Sequence, residues 1–199
     1  MIRATFFRRD PITCASELIG VELIWGRCRG VIVETEAYAA LGDEAAHTFV
    51  RPSAREFVER NDAGAAYVYF SYGMHWMLNV LVKGATNGFV LFRAIEPTAG
   101  IALMQRRRGV RNLRSICSGP GKLTQALAIT GRHHEMNLCA DPSYCLAPRR
   151  QAAEVVADKR IGITKAAHFP WRFTLRGSPF VSVKAKPWNS PRESRVSHR

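Results

Sequence analysis

Two runs rich in β-branched and aromatic residues most constrain the fold of this chain. Residues 21–25 and 31–38 are separated by the glycine-bearing segment 26–30, a pattern that predicts a β-hairpin. The same residue types predict further strands at 66–72, 75–82, 89–95, 173–175 and 180–183. We therefore expect β-sheet to dominate the molecule.

Helices are predicted where a capping residue precedes apolar residues at helical spacing. Asp10 and Pro11 form such a start, and Gly20 ends the segment. Further helices are expected at 53–60, at 99–108 after a Thr98 cap, and at 122–129 after a glycine-rich entry. Strands and helices do not alternate regularly, so the fold class is expected to be α+β.

The length and composition of the chain indicate one domain. With 199 residues, of which 47% are hydrophobic, the chain can bury a substantial core. Residues 1–183 are expected to form the domain. Residues 184–199 contain five Lys and Arg and little apolar content, which indicates a loose basic tail.

The charge of the chain indicates a polyanionic partner. There are 29 Lys and Arg against 16 Asp and Glu, a formal net charge of +13. A membrane is not expected, because no apolar run approaches the roughly 18 residues of a spanning helix. The N-terminus does not resemble a secretory signal, and five cysteines without CxxC spacing favour reduced thiols in a bacterial-type cytoplasm.

A zinc site is an alternative use of the cysteines. His133, His134, Cys139 and Cys145 cluster loosely, but their spacing matches none of the common zinc patterns. We therefore expect no metal.

Polar side chains are predicted to share one face of a sheet. In residues 31–38 the two-residue period places Glu34, Glu36 and Tyr38 on the same side, and in 75–82 it places Asn79 opposite an apolar row. For Glu34 a solvent-exposed face is the simpler interpretation. The repetition of the pattern on two strands nevertheless suggests a site.

Residues 67–76 contain five aromatic rings and a histidine, and a turn is predicted at Tyr72-Gly73. Core packing explains most such segments. In a chain this basic, aromatic side chains at a turn also suit stacking on an extruded base, and both interpretations stay open.

Three further features carry charge or expose the backbone. Arg93 lies in an apolar run and needs an anionic partner, for which Glu36 is a candidate. The stretch from Ser118 through Gly119 to Lys122 suits either phosphate binding or a plain helix entry. An arginine cluster suits phosphate contacts or a solvated surface: Arg106, Arg107, Arg108, Arg111 and Arg114.

Together these stretches resemble the alkyladenine, or 3-methyladenine, DNA glycosylase family of the eukaryotic-type fold. Six motifs occur in the family's order up to about Val183: VETEAY at 33–38, DEAAH at 43–47, YVY with YGM and Asn79, RAIEP at 93–97, SGP with KL at 118–123, and RGSP at 176–179. The resemblance implies a single domain with a curved, mostly antiparallel sheet, flanking helices and a protruding hairpin.

The resemblance also implies roles for particular residues. Glu36 matches the glutamate that activates a water molecule, and Arg93 matches the arginine that helps hold both. Tyr72 matches the residue that fills the gap left by the flipped nucleotide, and Met74, beside it at the tip, is also expected to take part in DNA intercalation. The base pocket corresponds to Tyr38, His47, Tyr69, Asn79 and, less closely, Ile163. Ser118, Gly119 and Lys122 stay candidates for phosphate binding on the ground of the helix start alone. His75 departs from the family, where an aromatic residue is common.

The implied function is base-excision repair on double-stranded DNA. Alkylation at N3 or N7 gives a purine a positive charge, which makes it a good leaving group and an attractive partner for aromatic rings. An ionised Glu36 would stabilise the cationic sugar as well as activate water. Substrates are expected among 3-methyladenine, 7-methylguanine, hypoxanthine and ethenoadenine, and neutral lesions also require help for the leaving base.

No lysine occupies the family's nucleophile position, so we expect a monofunctional enzyme that leaves an abasic site. No cofactor is expected, and a monomer is the family default. Two rival hypotheses are a non-catalytic binder of damaged or distorted DNA and a metal-dependent nuclease that uses Glu34, Glu36 and Asp43.

Overall fold

The structure, a computed structural model, describes residues 1–186 and confirms an α+β fold built on a curved antiparallel sheet. Residues 187–199, which make up most of the predicted basic tail, lie outside the described residues. All neighbouring strands run antiparallel; they are β1 (Glu22–Trp25), β2 (Cys28–Ala39), β3 (Ala66–Ser71), β4 (His75–Lys83), β5 (Asn87–Ala99), β6 (Tyr144–Ala147), β7 (Val155–Asp158) and β8 (Arg172–Leu175).

The long strand β2 organises the sheet. Six strands follow the order β3-β4-β5-β2-β1-β6, while β8 pairs with β2 at Glu34–Glu36 and with β7 on its other side. The register between β2 and β5 shifts on both sides of Glu34. Such irregularities bend the bulged strand and increase its twist, so the sheet curves where the two glutamates lie.

The helices cover the sheet and support its ends. They are α1 (Pro11–Glu17), α2 (His47–Val50), α3 (Pro52–Arg60), α4 (Ile101–Arg108) and α5 (Pro120–Leu127). As predicted, α1 starts at an Asp10 cap, whose carboxylate accepts a hydrogen bond from the Thr13 backbone N–H at 2.9 Å. The Thr35 hydroxyl donates to the Ala15 carbonyl at 2.8 Å, which fixes α1 against β2.

The hydrophobic core has one large and two smaller clusters. The large cluster fills the space between the sheet and helices α1, α4 and α5. One of the smaller clusters joins α3 to strands β3 to β5 through Phe57, Tyr67, Leu81 and Phe89. This cluster packs against the part of the sheet that carries the predicted base pocket and supports it.

Some sequence predictions are wrong in detail. Residues 180–183 form bends rather than a strand, because the Ser182 backbone N–H donates to the Glu34 carboxylate instead of to a neighbouring strand. Thr98 does not cap α4: it lies in β5, which ends at Ala99, its hydroxyl donates to Glu22, and Gly100 with φ +70° precedes the helix.

Two strands were not predicted at all. Strand β6 pairs with β1, and β7 pairs with β8. Each is only four residues long and lies in a region without clear alternation, so its strand character depends on a partner that is distant in the sequence.

Other expectations concern cysteines, metals and membranes. All five cysteines are free thiols. In residues 1–186 no three His, Cys, Asp or Glu side chains are grouped as metal ligands, and His133 and His134 instead accept hydrogen bonds from backbone N–H groups. Over the same range, no helix combines the length and apolar character that a bilayer crossing requires.

Candidate active site

A cavity of about 460 Å³ opens between the β3–β4 hairpin, β2, β5 and the loop that follows Lys159. Seven of the predicted site residues line it, although they come from five separate segments: Tyr38, His47, Tyr69, Tyr72, Asn79, Arg93 and Ile163. The two-residue alternation of β2, β3, β4 and β5 places Tyr38, Tyr69, Asn79 and Arg93 on the same face of the sheet. The other three come from α2, the hairpin turn and the loop after Lys159.

Glu36 lies directly behind this lining and is fully buried. Its Oε1 accepts a hydrogen bond from the Ile161 backbone N–H at 2.7 Å, and its Oε2 accepts from the Tyr38 hydroxyl at 2.8 Å and from Nη1 of Arg93 at 3.1 Å. The three donors belong to residues that line the cavity. The carboxyl group therefore sits in a polar, hydrogen-bonded position at the cavity wall and not in the apolar core.

Burial raises the pKa of the Glu36 carboxyl, and the charge of Glu34 adds to the effect. The Arg93 guanidinium, the Ile161 N–H and the Tyr38 hydroxyl act in the opposite direction, because they stabilise the carboxylate. A carboxylate with a raised pKa is a stronger base than one in water, which suits proton abstraction.

Glu34 is not on an exposed face, contrary to the simpler interpretation of the sequence. It is fully buried, and its Oε1 accepts from Nε of Arg93 at 3.0 Å and from Nε of Arg172 at 2.8 Å. Ser182 donates to it through both its backbone N–H, at 2.6 Å, and its hydroxyl, at 2.8 Å. Desolvation of Glu34 is outweighed by Arg93, Arg172 and the Ser182 N–H, so its pKa is lowered.

Arg93 therefore joins two buried carboxylates. Only 8% of its side chain is exposed, and burial, which lowers its pKa, is outweighed by the charges of Glu36 and Glu34. The expected pair with Glu36 is present, and Glu34 is a second partner that the sequence analysis did not identify.

Aromatic rings form part of the wall of the cavity. The His47 and Tyr69 ring centroids are 4.3 Å apart, and Nδ1 of His47 lies 3.1 Å from the Tyr67 hydroxyl. Burial, with a smaller contribution from Arg51, lowers the pKa of His47 to about 4. The imidazole is therefore neutral at physiological pH. Asn79 is oriented by a hydrogen bond from Nδ2 to the Tyr67 carbonyl at 3.1 Å.

A second buried ion pair lies behind Tyr38. Arg160 binds both oxygens of Asp43, at 2.6 and 2.8 Å, and its guanidinium lies 4.7 Å from the centroid of the Tyr38 ring. The pair anchors the loop whose Ile161 N–H reaches Glu36, while Ile163 only lines the cavity. Neither Arg160 nor Ile161 was singled out from the sequence, because their importance depends on contacts with residues more than 115 positions away.

The β3–β4 hairpin projects exposed apolar side chains beside the cavity. Tyr72 is 89% exposed and Met74 is 67% exposed, and Tyr72 and Gly73 both have positive φ, +50° and +65°. His75, at the base of the tip, packs against α5 so closely that a Cβ on Gly121 would lie 2.7 Å from its Cγ. This contact supports the tip, although His75 departs from the family pattern at this position.

The predicted phosphate-binding segment begins α5 next to the cavity. Pro120 lines the cavity itself, Ser118 forms a β-bridge with Ala94, and Lys122 is exposed. In the arginine cluster, Arg107 and Arg108 bind carbonyls of Ala126 and Ile116 at 3.0 Å, so these two hold α4 in place. Arg106, Arg111 and Arg114 are exposed.

Comparisons with known proteins agree over almost the whole chain. The family profile described as methylpurine-DNA glycosylase matches residues 5–179. A protein of Rhodopseudomonas palustris strain BisB18 is 50% identical over 182 residues, which cover 91% of this chain and 90% of the relative. Proteins of Agrobacterium fabrum and Nitrosospira multiformis are 46% and 42% identical, covering 92% and 93% of this chain and 93% and 94% of their own. All three relatives are named as 3-methyladenine DNA glycosylases, and in each name the assignment is marked as provisional.

Proposed function

Since the chain belongs to the methylpurine-DNA glycosylase family and is a DNA glycosylase of DNA repair, we propose that it hydrolyses the N-glycosidic bond of damaged purines by flipping the nucleotide and activating a water molecule with Glu36. The substrate class is alkylated or deaminated purines, namely 3-methyladenine, 7-methylguanine, hypoxanthine and ethenoadenine. The names of the relatives support the first of these.

The observation that carries the proposal is the hydrogen bonding of Glu36. A carboxylate has about four acceptor positions, and three are used by Ile161, Tyr38 and Arg93. One position is left for a water molecule. Because Arg93 and Ile161 fix the carboxylate at the cavity wall, the water would be held in a defined place relative to a nucleotide bound in the cavity.

The proposed chemical step is hydrolysis. Glu36 takes a proton from water, the oxygen bonds to C1′ of the sugar, and the electron pair of the broken C1′–N bond leaves with the base. The negative charge of Glu36 also stabilises the oxocarbenium-like sugar during this step. Among the described residues that line the cavity there is no lysine, which supports a monofunctional enzyme whose product is an abasic site.

The base pocket and the hairpin supply the binding steps. Tyr38, His47 and Tyr69 present rings on which a flat purine can stack. The exposure of Tyr72 at the hairpin tip supports a role in filling the gap in the duplex, and the exposure of Lys122 near the start of α5 supports a phosphate contact. The net charge of +13 supports binding to double-stranded DNA.

We also propose that the protein works as a monomer on nucleoid DNA in a bacterial cytoplasm, with residues 1–183 as the glycosylase domain. The charge and the five free thiols support this placement.

The test is release of methylated purines and hypoxanthine from duplex DNA by Glu36→Gln. We expect the single-turnover rate to fall about 10²- to 10⁴-fold, the usual contribution of a general base, while DNA binding is kept. Glu44→Gln, at an exposed glutamate, is the matched control and should retain full activity. Wild-type protein that releases no base would favour the non-catalytic binder, and strand cleavage that disappears in EDTA would favour a nuclease.

A further inference from the structure

Arg51 is a cationic residue of the cavity that the proposed chemistry does not use. It lies between α2 and α3, is exposed, and its guanidinium carbon is 5.7 Å from the centroid of the Tyr69 ring. Because it lines the same cavity as His47 and Asn79, its charge faces the space that a flipped base would occupy.

The charges around the cavity do not balance. Two arginines line it, and Arg93 is compensated by the carboxylates of Glu34 and Glu36. Within residues 1–186, by contrast, no carboxylate lies within 4.0 Å of the Arg51 guanidinium. The free protein therefore presents an uncompensated positive charge at the pocket.

The charge of Arg51 changes the pKa of several cavity residues, among them His47 and Tyr69. It contributes, after burial, to the low pKa of His47, and it opposes the burial that raises the pKa of Tyr69 to about 12. Both rings belong to the wall on which the base would stack. A cationic base stacked on these rings would likewise be repelled by the charge of Arg51.

The aromatic walls compensate this repulsion only in part. The Tyr38 ring already has the Arg160 guanidinium at 4.7 Å, and the Tyr69 ring has Arg51 at 5.7 Å. A ring whose π electrons are attracted by one cation binds a second cation less strongly. Stacking of a neutral purine is not weakened in this way.

We infer that Arg51 is a specificity-determining residue that biases the pocket toward purine lesions that are neutral at physiological pH, such as hypoxanthine, and against cationic N3- and N7-alkylated purines. The inference rests on the proposed function. Cationic lesions stay substrates, because their glycosidic bonds break readily, but they gain less from the pocket than they would without Arg51.

The experiment compares single-turnover release of 7-methylguanine and hypoxanthine from matched duplexes by wild type, Arg51→Gln and Arg51→Lys at saturating protein. Removal of the charge in Arg51→Gln should raise the ratio of the 7-methylguanine rate to the hypoxanthine rate about three- to tenfold, as expected for one partly screened charge near the base. Arg51→Lys keeps the charge and should keep the wild-type ratio.

The ratio separates this effect from loss of a phosphate contact, which changes both rates by the same factor. Arg111→Gln, at an exposed arginine outside the cavity lining, is the control for that case and should leave the ratio unchanged. An unchanged ratio in Arg51→Gln, or an equal rise in Arg51→Lys, overturns the inference while leaving the proposed function intact. Release of neither lesion by wild type means instead that the proposed function has failed.

Discussion

Glu34 accepts a hydrogen bond from Nε of Arg93 at 3.0 Å. The side chain of Glu34 is 0% exposed and that of Arg93 is 8% exposed. The opposite edge of the same guanidinium donates to Glu36 at 3.1 Å. Because a guanidinium is rigid and planar, an acceptor on Nε determines the direction in which Nη1 points. Glu34 thus orients the group that holds the proposed catalytic carboxylate.

Glu34→Gln should shift the pH dependence of base release toward acid. The negative charge of Glu34 is one cause of the raised Glu36 pKa, so its removal lowers that pKa, and Glu36 stays ionised to a lower pH. The neutral-pH rate should fall about tenfold if Arg93 loses its orientation, a loss of about 1.4 kcal/mol of transition-state stabilisation. A pH–rate profile under single-turnover conditions measures both effects.

Removal of this buried charge also leaves Arg172 less compensated, so Glu34→Gln should be destabilised by about 3–5 kcal/mol. Ser182→Ala, which deletes only the hydroxyl that donates to Glu34, is a milder variant for the same profile. An acidic limb that does not move in folded Glu34→Gln would show that the charge of Glu34 does not raise the Glu36 pKa, and an unchanged neutral-pH rate would argue against the orienting role.

Tyr38→Phe should move the same profile in the opposite direction. The Tyr38 hydroxyl stabilises the Glu36 carboxylate at 2.8 Å, so its loss raises the Glu36 pKa further. A base must be deprotonated to act, and the rate of Tyr38→Phe should therefore begin to fall at a higher pH than that of wild type. The ring is retained, so substrate affinity should change less than twofold. If the acidic limb of the pH–rate profile moved in the same direction in Tyr38→Phe and Glu34→Gln, this account would be contradicted.

Asp43→Asn should strongly destabilise the protein. It leaves Arg160 buried without its carboxylate partner, a change that costs about 3–5 kcal/mol in comparable pairs. Glu44, the next residue, pairs with Lys165 at 3.7 Å on the surface, so Glu44→Gln should cost less than about 1 kcal/mol. Urea unfolding measures the free energy of unfolding of both variants. Equal losses of this free energy would show that the buried pair stabilises the protein no more than the surface pair does.

Tyr72→Ala should impair capture of the flipped nucleotide without affecting the fold. The side chain is 89% exposed, so the melting temperature should stay within about 2 °C of wild type. Unstacking a base costs a few kcal/mol, and a wedge that offsets part of it would make excision about tenfold slower in its absence. Met74→Ala, at the same tip, should show a smaller loss. Excision at the wild-type rate in Tyr72→Ala would remove the wedge from the mechanism.

His47 should make stability depend on pH between about 6.5 and 4. Its folded pKa of about 4 lies below the ordinary value of 6.5, so in this window the unfolded chain binds a proton that the native state does not. Its contribution is complete above pH 6.5 and declines as the pH falls. Because the ring is partly solvated, we expect a difference of about 1–2 kcal/mol between wild type and His47→Gln across this window, measured by urea unfolding.

Local patterns in the sequence were sufficient for several features. The two-residue alternation in 31–38 placed Glu34, Glu36 and Tyr38 on one face, and the structure confirms this, since Arg93 contacts both glutamates. The hairpin with its turn at Tyr72-Gly73 was also predicted. Runs of β-forming residues and a turn glycine determine the local structure within a few residues of sequence. The roles of these residues in catalysis stay predictions.

The sequence by itself determined an α+β domain, the family, the DNA-directed charge and which side chains share a face, because these depend on periodicity and composition. The tertiary structure alone decided that Glu36 is buried behind three donors, that Glu34 is paired with Arg93 and Arg172, and that Arg51 faces the cavity. Burial and ion pairing arise where segments far apart in the chain meet: Ile161 is 125 positions from Glu36. No local sequence pattern predicts such a contact, because the contact forms only when the sheet curves and the loops pack over the sheet.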